Sequence, residues 1–276
     1  MSSVINTNVK SIVAQNAMSV NNRSMSKAME QLSTGKRINT AADDAAGLAI
    51  ANRMTSQIKA LNQSVRNAND GISMMQTAEG ATKEITNMLQ RMRELSVQAA
   101  NDTYGTTDRE AIKTEIDELA SEVTRIAENT QWNGMSILGG GASYDTMTFQ
   151  VGTEGDSTSS ITVAFQAMDS TALTVSSLDV SSNSDAQASV IDIDAAITAV
   201  DQFRSTLGAK VNRMTSAADN LANVAMNTSA SRSQIEDTDY AQATTELART
   251  QIIQQASTAM LAQANQQPQS VLSLLK

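Results

Sequence analysis

The chain has 276 residues, a formal net charge of −9, and neither His nor Cys. The missing residue types exclude disulfides, thiol nucleophiles, the usual zinc ligand sets and the commonest general base, and the acidic balance argues against a nucleic-acid partner. No apolar run is long enough to span a bilayer, and MSSVINTNVK lacks the regions of an ordinary secretory signal. We therefore predict no membrane insertion, no enzymatic activity, and no catalytic, cofactor or metal residues.

Two apolar patterns at helical spacing precede the middle of the chain. The N-terminal stripe consists of Ile5, Val9, Ile12, Val13, Ala17, Val20, Ala28 and Leu32. A heptad seam follows at Met54, Ile58, Leu61, Val65, Ala68, Ile72 and Met75. This seam predicts one long helix, from about Asp43 to Tyr104, that packs against other helices. Gly71 and Gly80 each cost about 1 kcal/mol of helix stability relative to Ala, so two helices broken near Gly80 are the alternative.

Acidic residues mark two candidate helix starts in this half of the chain. Asp43-Asp44 suits either a metal site or a helix N-terminus, and the helix dipole favours the second interpretation. Thr107-Asp108-Arg109-Glu110 has the pattern of a capping box. It predicts a second helix that follows a short loop and folds back on the first as an antiparallel hairpin.

The middle of the chain, residues 131–188, is rich in Ser, Thr, Gly and Asp. β-like runs occur at residues 147–151 and 160–165, with a weaker one at 172–175, and they predict hairpins and loops. Residues 126–203 contain ten acidic residues and no Lys or Arg, whereas the rest of the chain has 19 acidic and 20 basic residues. The charge therefore separates an acidic middle from two nearly neutral ends.

Helical spacing returns at Ile193 and predicts a helix that completes a bundle with the first long helix. Asp192 and Asp194 are spaced as in calcium loops, but the glycine and the later glutamate of that motif are missing. We interpret these two residues as a helix start. A possible capping box at residues 233–236, Ser-Gln-Ile-Glu, predicts the start of a final helix.

The C-terminal segment also carries a row of large apolar residues. They are Leu247, Ile252, Ile253, Met260 and Leu261, followed in the tail by Val271, Leu272, Leu274 and Leu275. Pro268 is expected to kink or interrupt this last helix. Two thin helices bury too little apolar surface to offset the conformational entropy of ordering both ends. We expect the ends to be disordered or molten in the monomer and to need neighbouring chains to become ordered.

Sequence blocks near both ends resemble bacterial flagellin. They include LSTGKRINTAADDAAGLAIANRM, RNANDGISMMQTAEGA, LQRMRELSVQAAN, TQWNGMSIL, SRSQIEDTDYA and QIIQQASTAMLAQANQQPQSVLSLLK. Blocks of this kind cover nearly all of residues 1–139 and 190–276, in the order that the family has them. DDAAG alone is shared with hook–filament junction proteins, so the resemblance depends on the whole set.

The resemblance implies a mainly α fold, a long-helix bundle with a terminal coiled coil and a small β-hairpin region in the middle of the chain. Residues 1–42 and 235–276 are expected to form an inner coiled-coil domain. Residues 43–234 are expected to form an outer helical-bundle domain with a β-rich tip at about 131–189. The middle is too short for large outer domains, so the chain resembles the short family members.

The resemblance also implies a function. Family members are structural subunits that leave the cell unfolded through the flagellar type III apparatus, fold on assembly, and polymerise into the extracellular filament used for motility. The implied partners are copies of the chain itself in a helical homopolymer, an export chaperone, and the cap and hook-associated proteins. A hook–filament junction protein is the alternative, and a secreted coiled-coil adhesin is a more distant one.

The implied assembly interface lies on the two ends of the chain. Its predicted residues are Ile5, Val9, Ile12, Val20, Leu32, Leu247, Ile252, Ile253, Met260, Leu261, Val271, Leu272, Leu274 and Leu275.

A separate surface is suggested by LQRMRELSVQ, which resembles the flagellin stretch that Toll-like receptor 5 recognises. On spacing alone, Arg91, Leu95 and Gln98 form a solvated helix face with one exposed leucine. The resemblance assigns them, with Gln90, to receptor recognition, and adds Glu122 as an acidic contact on the neighbouring helix.

Overall fold

The structure is a computed structural model that describes residues 7–139, 146–154 and 156–273, with the side chains of residues 157 and 267–273 outside the description. The described residues form five α-helices: α1 (Val9–Thr34), α2 (Ala45–Ala99), α3 (Thr106–Asn129), α4 (Asn183–Glu236) and α5 (Tyr240–Ser273). In the part of the chain between α3 and α4 that the structure describes, there are two antiparallel hairpins: β1 (Gln131–Trp132) with β2 (Met135–Ser136), and β3 (Thr146–Gln150) with β4 (Ser160–Ala164). The predicted mainly α fold is confirmed. None of the described helices is long and apolar enough to cross a membrane.

The chain divides into two compact units. One consists of residues 1–58 and 226–276, and the other of residues 59–225. We call them the terminal unit and the central unit. The predicted domain boundaries, after residue 42 and before residue 235, stay a prediction, because compactness assigns the ends of α2 and α4 to the terminal unit.

The core of the central unit is built from α2, α3, α4, the β3–β4 hairpin and the loop that precedes α4. The heptad seam of α2 enters this core at Ala68 and Met75, and the partly buried Ile72 packs against it. The facing helices contribute Ile112, Ile116, Val123, Ile193, Val200, Leu207 and Met214. Helix α2 continues through Gly80, which is exposed, so the alternative of two broken helices is wrong.

The start of α2 explains the Asp43-Asp44 pair. Asp44 Oδ1 accepts a hydrogen bond from the Gly47 N–H at 2.9 Å, which satisfies a donor that the first turn would leave unpaired. Asp43 forms an ion pair with Lys27 at 2.7 Å. The helix-start interpretation is confirmed, although α2 is shorter at both ends than the predicted helix.

Helices α3 and α4 both begin earlier than the sequence patterns predicted. The Asp108 carboxylate accepts the Gly105 N–H at 3.0 Å, so α3 begins ahead of the predicted capping box. Ser182 Oγ accepts the Asp185 N–H at 3.1 Å and starts α4 at residue 183. Asp192 and Asp194 therefore lie inside α4, and their interpretation as a helix start was wrong, because a Ser-x-x-Asp cap upstream starts the helix first.

The predicted capping box at residues 233–236 is instead the last turn of α4. The chain leaves the helix there because the Glu236 carbonyl accepts the Arg37 N–H at 2.7 Å, within an antiparallel bridge between Lys36 and Asp237. Helix α5 starts after Asp239, whose Oδ1 accepts the Ala241 N–H at 2.9 Å. The prediction of a separate final helix is right, but its start was misplaced.

The two stronger β-like runs are confirmed as β3 and β4, which pair in register from Thr146↔Ala164 to Gln150↔Ser160. Residues 172–175 form turns instead of a strand, because Val175 N–H bonds to the Ser170 carbonyl at 2.8 Å. The β1–β2 hairpin was not predicted individually. Its signal is Asn133-Gly134, where both residues have positive φ (50° and 78°) as a tight two-residue hairpin turn requires.

Candidate interaction surfaces

Helices α1 and α5 form an antiparallel pair in the terminal unit. Among the described side chains, three donate hydrogen bonds to the main chain across the pair: Asn8 Nδ2 to the Ala264 carbonyl (2.9 Å), Asn21 Nδ2 to the Thr250 carbonyl (2.8 Å), and Tyr240 OH to the Leu32 carbonyl (3.0 Å). As the residue number rises along α1 it falls along α5 by nearly the same amount. The register between the two helices is therefore constant over their paired length.

The seam between α1 and α5 is lined by small and polar side chains. Buried residues of α1 are Ser11, Asn21 and Ala28. On α5 the buried positions include Ala243 and Thr250. These side chains remove little hydrocarbon from water, and the described leucines of the pair are only half-buried, so the pairing uses only part of the hydrophobic potential of the two helices.

Most of the large apolar side chains described on the pair lie outside the buried positions of this seam. Val9, Ile12, Val13, Val20, Met29, Ile252, Ile253 and Met260 are all exposed, from 39% at Ile253 to 67% at Ile252. Among the other predicted assembly residues, Leu32, Leu247 and Leu261 are half-buried. Ile5, Leu274, Leu275 and the side chains of Val271 and Leu272 lie outside the described residues. Helix α5 continues past position 268 to Ser273, so Pro268 does not end the helix.

Grooves lie along this surface of the described residues. One, of about 550 Å³, has a mixed lining of the apolar Val13, Ala17, Val20 and Ile253 and the polar or charged Asn16, Asn21, Ser24, Glu246, Arg249 and Thr250. Another, of about 360 Å³, is lined by Val9, Lys10, Val13, Ala14, Met260, Gln263 and Ala264. We call the exposed apolar side chains of α1 and α5, with these grooves, the terminal apolar face. Exposed apolar side chains that line surface grooves are typical of a protein–protein contact.

A second candidate surface lies on α2 and α3 in the central unit, around Arg91. Its guanidinium donates to Glu115 Oε1 from Nη2 at 2.9 Å and from Nε at 3.1 Å, and its Nη1 donates to Glu94 at 3.2 Å. Hydrogen bonding to Glu115, then to Glu94, raises the pKa of Arg91. The charge is therefore fixed in position while half of the side chain stays exposed.

Gln90 and Gln98 are exposed near Arg91, and Gln98 Nε2 donates to the Tyr104 hydroxyl at 3.2 Å. Leu95 is only 3% exposed and belongs to the hydrophobic core. The prediction of an exposed leucine is wrong. A helix that packs on more than one neighbour buries a wider stripe than a two-position heptad seam, and Leu95 lies at the edge of that wider stripe, beside the buried Ser96.

Glu122 does not reach Arg91. Its carboxylate accepts from Arg125 Nε at 2.6 Å, and this hydrogen bond lowers the pKa of Glu122. Glu122 lies seven residues beyond Glu115, about 10 Å along the axis of α3. The sequence analysis did not predict Glu115 as a partner of Arg91. The two residues are nearly equally far from the loop at residues 100–105, so an antiparallel hairpin brings them close to each other.

Among residues 7–139, 146–154 and 156–273, no group of three or more acidic side chains is placed to hold a metal ion.

Residues 5–143 match the family model for the bacterial flagellin N-terminal helical region, and residues 190–275 match the model for the bacterial flagellin C-terminal helical region. The chain belongs to the bacterial flagellin family.

Relatives of this flagellin match it along its whole length. It is 42% identical over 273 residues to a flagellin of Halalkalibacterium halodurans, covering 99% of this chain and all of that one. It is 38% identical over 283 residues to the flagellar filament 30.7 kDa core protein of Treponema maltophilum, covering 99% of both chains. The alignment with flagellin B of Vibrio anguillarum, at 34% identity, extends over 373 residues. This chain is therefore a short flagellin without a large outer domain.

Among solved structures, this flagellin is similar to the crystal structure of Bacillus cereus flagellin. The two chains are 31% identical and superpose with a TM-score of 0.50, over 56% of this chain and 88% of that chain. The likeness supports the helical fold described above.

Proposed function

We propose that this flagellin is a structural subunit, without catalytic activity, that polymerises with copies of itself into the flagellar filament used for motility. The terminal apolar face is the observation that supports the proposal. Its large side chains are exposed on a helix pair whose own seam is small and polar. The name of the Treponema maltophilum relative, a flagellar filament core protein, is in line with this role.

Assembly adds hydrophobic burial that the single chain lacks. Each fully buried Val, Ile or Met side chain contributes about 1.5–3 kcal/mol. In the assembled state the terminal apolar face is covered by neighbouring subunits, and α1 and α5 become stably ordered there. The contacts are heterologous, so each added subunit presents the same face to the next and growth continues as an open helical polymer.

Seeded polymerisation with a matched pair of variants tests the terminal apolar face. Ile252 in α5 and Ile191 in α4 are almost equally exposed, at 67% and 69%. Ile252→Gln removes an apolar contact from the face, and we expect filament growth on seeds to fall at least tenfold. Ile191→Gln makes the same chemical change in the central unit and is expected to keep most of the growth. Electron microscopy and sedimentation measure the polymer.

The same assay separates a filament subunit from a hook–filament junction protein. A filament subunit elongates seeds into long filaments, whereas a junction protein adds a limited layer and stops. If the wild-type chain does not elongate seeds, the proposed function is wrong. If both isoleucine variants lose growth equally, the chain is a polymer subunit but the terminal apolar face is not the specific contact.

We further propose that the chain is exported unfolded through the flagellar type III apparatus and reaches the extracellular filament. An export chaperone, the cap and the hook-associated proteins are the expected partners on this route. Two features support the proposal: the absence of Cys prevents crosslinks between unfolded chains, and the small seam between α1 and α5 gives the terminal unit little resistance to unfolding. Loss of the secreted chain in cells without the export apparatus checks it.

Recognition of the monomer by Toll-like receptor 5 is a second proposed function, supported by the exposed Arg91 that Glu115 and Glu94 hold in place. Gln90 and Gln98 complete the exposed part of this surface. Leu95 is buried in the core next to this surface. Glu122, which pairs with Arg125, lies about two helical turns beyond Glu115 on α3.

Two arginines of α2 provide a matched test of receptor recognition. Arg91 and Arg93 are similarly exposed and each is paired with a carboxylate of another helix. Arg91→Ala is expected to lower potency in a receptor reporter assay by tenfold or more, whereas Arg93→Ala leaves it nearly unchanged. Leu95→Ala also weakens the core by about 2–5 kcal/mol, so its potency is read beside its thermal stability. Equal potency of the two arginine variants contradicts this second function.

A further inference from the structure

Methionine supplies all the oxidisable sulfur of this chain, which has 15 Met and no Cys. Among the methionines whose side chains the structure describes, three are largely exposed: Met29 (49%), Met226 (63%) and Met260 (65%). All three belong to the terminal unit. In the core of the central unit, the side chains of Met74, Met75, Met92, Met168 and Met214 are at most 1% exposed. A dilute oxidant therefore reaches methionines of the terminal unit first.

Met260 differs from the other two exposed methionines in its surroundings. It lines the groove of about 360 Å³ with the hydrocarbon side chains of Val9, Val13 and Ala14. The polar groups at this groove are Lys10 and Gln263. The thioether therefore lies in a mainly apolar part of the terminal apolar face, where a covering subunit brings further apolar contact.

We propose that Met260 is a reversible oxidation site that controls whether a subunit can join the filament; this inference rests on the proposed function. The oxidant is hydrogen peroxide. The Met260 Sδ lone pair attacks one peroxide oxygen, so that an S–O bond forms, the O–O bond breaks and hydroxide leaves. The hydroxide takes the proton from the oxygen now bound to sulfur, so the thioether is oxidised by two electrons to the sulfoxide and the peroxide is reduced to water.

The sulfoxide acts on assembly and leaves folding unchanged. On the free chain the new oxygen is solvated, because Met260 is exposed. When a neighbouring subunit covers the groove, that strong acceptor loses water among apolar side chains, and burying an unpaired polar group is unfavourable. Methionine sulfoxide reductases return the sulfoxide to the thioether, so the block on assembly is reversible.

Assembly in turn protects Met260 from oxidation. In a filament the groove is covered, and peroxide no longer reaches Sδ. Free chains and filaments exposed to the same dose of peroxide are therefore expected to differ at Met260. The difference in oxidation at this residue reports its burial independently of any substitution.

The test treats the full-length chain with hydrogen peroxide, before and after polymerisation, and measures sulfoxide at each methionine by peptide mass spectrometry. We expect Met260 to oxidise at least fivefold more in free chains than in filaments. Oxidised chains should leave about tenfold more unpolymerised protein at the growth plateau than untreated chains, since an unpaired buried acceptor weakens each contact. Treatment with methionine sulfoxide reductases should restore growth.

Two variants assign the effect to one residue, and each is compared only with its own untreated sample. Met260→Leu replaces the thioether by a hydrocarbon of similar volume. In this variant, peroxide should no longer change the amount of unpolymerised protein at the growth plateau. In the Met29→Leu, Met226→Leu double variant, peroxide should inhibit growth as strongly as in the wild-type chain.

The failures of the two proposals are distinguishable. If untreated chains do not elongate seeds, the proposed function itself fails. If untreated chains elongate and chains with oxidised Met260 elongate equally well, or if Met260 reacts equally in filaments and free chains, the oxidation site is refuted and the filament role stands.

Discussion

Gly71 and Gly80 both lie in α2, but Gly71 is packed against other side chains and Gly80 is not. A Cβ at Gly71 would lie 2.9 Å from Met214 Sδ and 3.0 Å from Phe149 Cδ1, whereas a Cβ at Gly80 meets nothing within 4 Å. Gly71 thus allows the β3–β4 hairpin and α4 to approach α2 closely. Gly80 has no such role and only lowers helix propensity.

This contrast gives a stability prediction at the residue scale. Gly80→Ala should raise the free energy of unfolding by about 1 kcal/mol, the difference in helix propensity. Gly71→Ala gains the same propensity but forces displacement of the Phe149 ring, and overpacking of this kind costs about 1–3 kcal/mol. We expect it to be at least 1 kcal/mol less stable than the Gly80→Ala protein. Urea unfolding followed by circular dichroism measures both, and equal midpoints contradict the prediction.

At the scale of elements, the loop between α1 and α2 is held by the carboxylate of Asp43. One oxygen pairs with Lys27 of α1 at 2.7 Å, and the other accepts the Thr40 N–H at 3.1 Å. The hydrogen bond from Lys27, helped by that from the Thr40 backbone, lowers the pKa of Asp43 from 3.8 to about 2. The ionised carboxylate therefore links the loop to the C-terminal half of α1.

The pKa of Asp43 sets a pH window for this link. Because the pKa is lower in the folded state, its stabilising contribution is complete above about pH 4 and disappears as the pH falls towards 2. Asp43→Asn should reduce amide-exchange protection at Thr40 near neutral pH. The ratio of wild-type to variant protection should approach one as the pH falls through this window. A ratio independent of pH refutes the assignment, and Asp44→Asn, which changes the cap of α2, is the control.

At the scale of the whole molecule, the chain combines a central unit with a bulky apolar core and a terminal unit with a small polar seam. The core of the central unit contains Leu, Ile, Met, Val and Phe side chains from several elements. In the terminal unit, most of the described large apolar side chains of α1 and α5 are exposed. The central unit should therefore keep its structure under conditions that unfold the α1–α5 pair.

Removal of the tail tests this division of roles. Deleting residues 270–276 takes away the apolar cluster that the sequence places at the C-terminus. We expect the thermal unfolding of residues 59–225 to be unchanged by circular dichroism, and seeded polymerisation to be abolished. A full-length chain in which Val271, Leu272, Leu274 and Leu275 are replaced by Gln should fail in the same way. Normal filaments from either chain would show that the tail is not part of the interface.

Sequence reasoning predicted the elements better than their ends. The heptad seam of α2 is visible because burial on one face repeats along a long helix, and β3 and β4 were found from their β-branched runs. The starts of α4 and α5 were misplaced because several Ser and Asp residues are possible caps. Which one acts is decided by contacts such as the bond between Arg37 and Glu236, which are distant in sequence.

The sequence by itself determined the helical class, the absence of His and Cys chemistry, the apolar ends and the family resemblance, because these depend on composition and local periodicity. Only the tertiary structure decided that Leu95 is buried and that Glu115 holds Arg91. It also decided that Ser11, Asn21 and Ala28 line the α1–α5 seam while Ile12 and Val20 face outward. Periodicity shows that a helix has an apolar face, but the register between helices decides which neighbour, if any, that face meets.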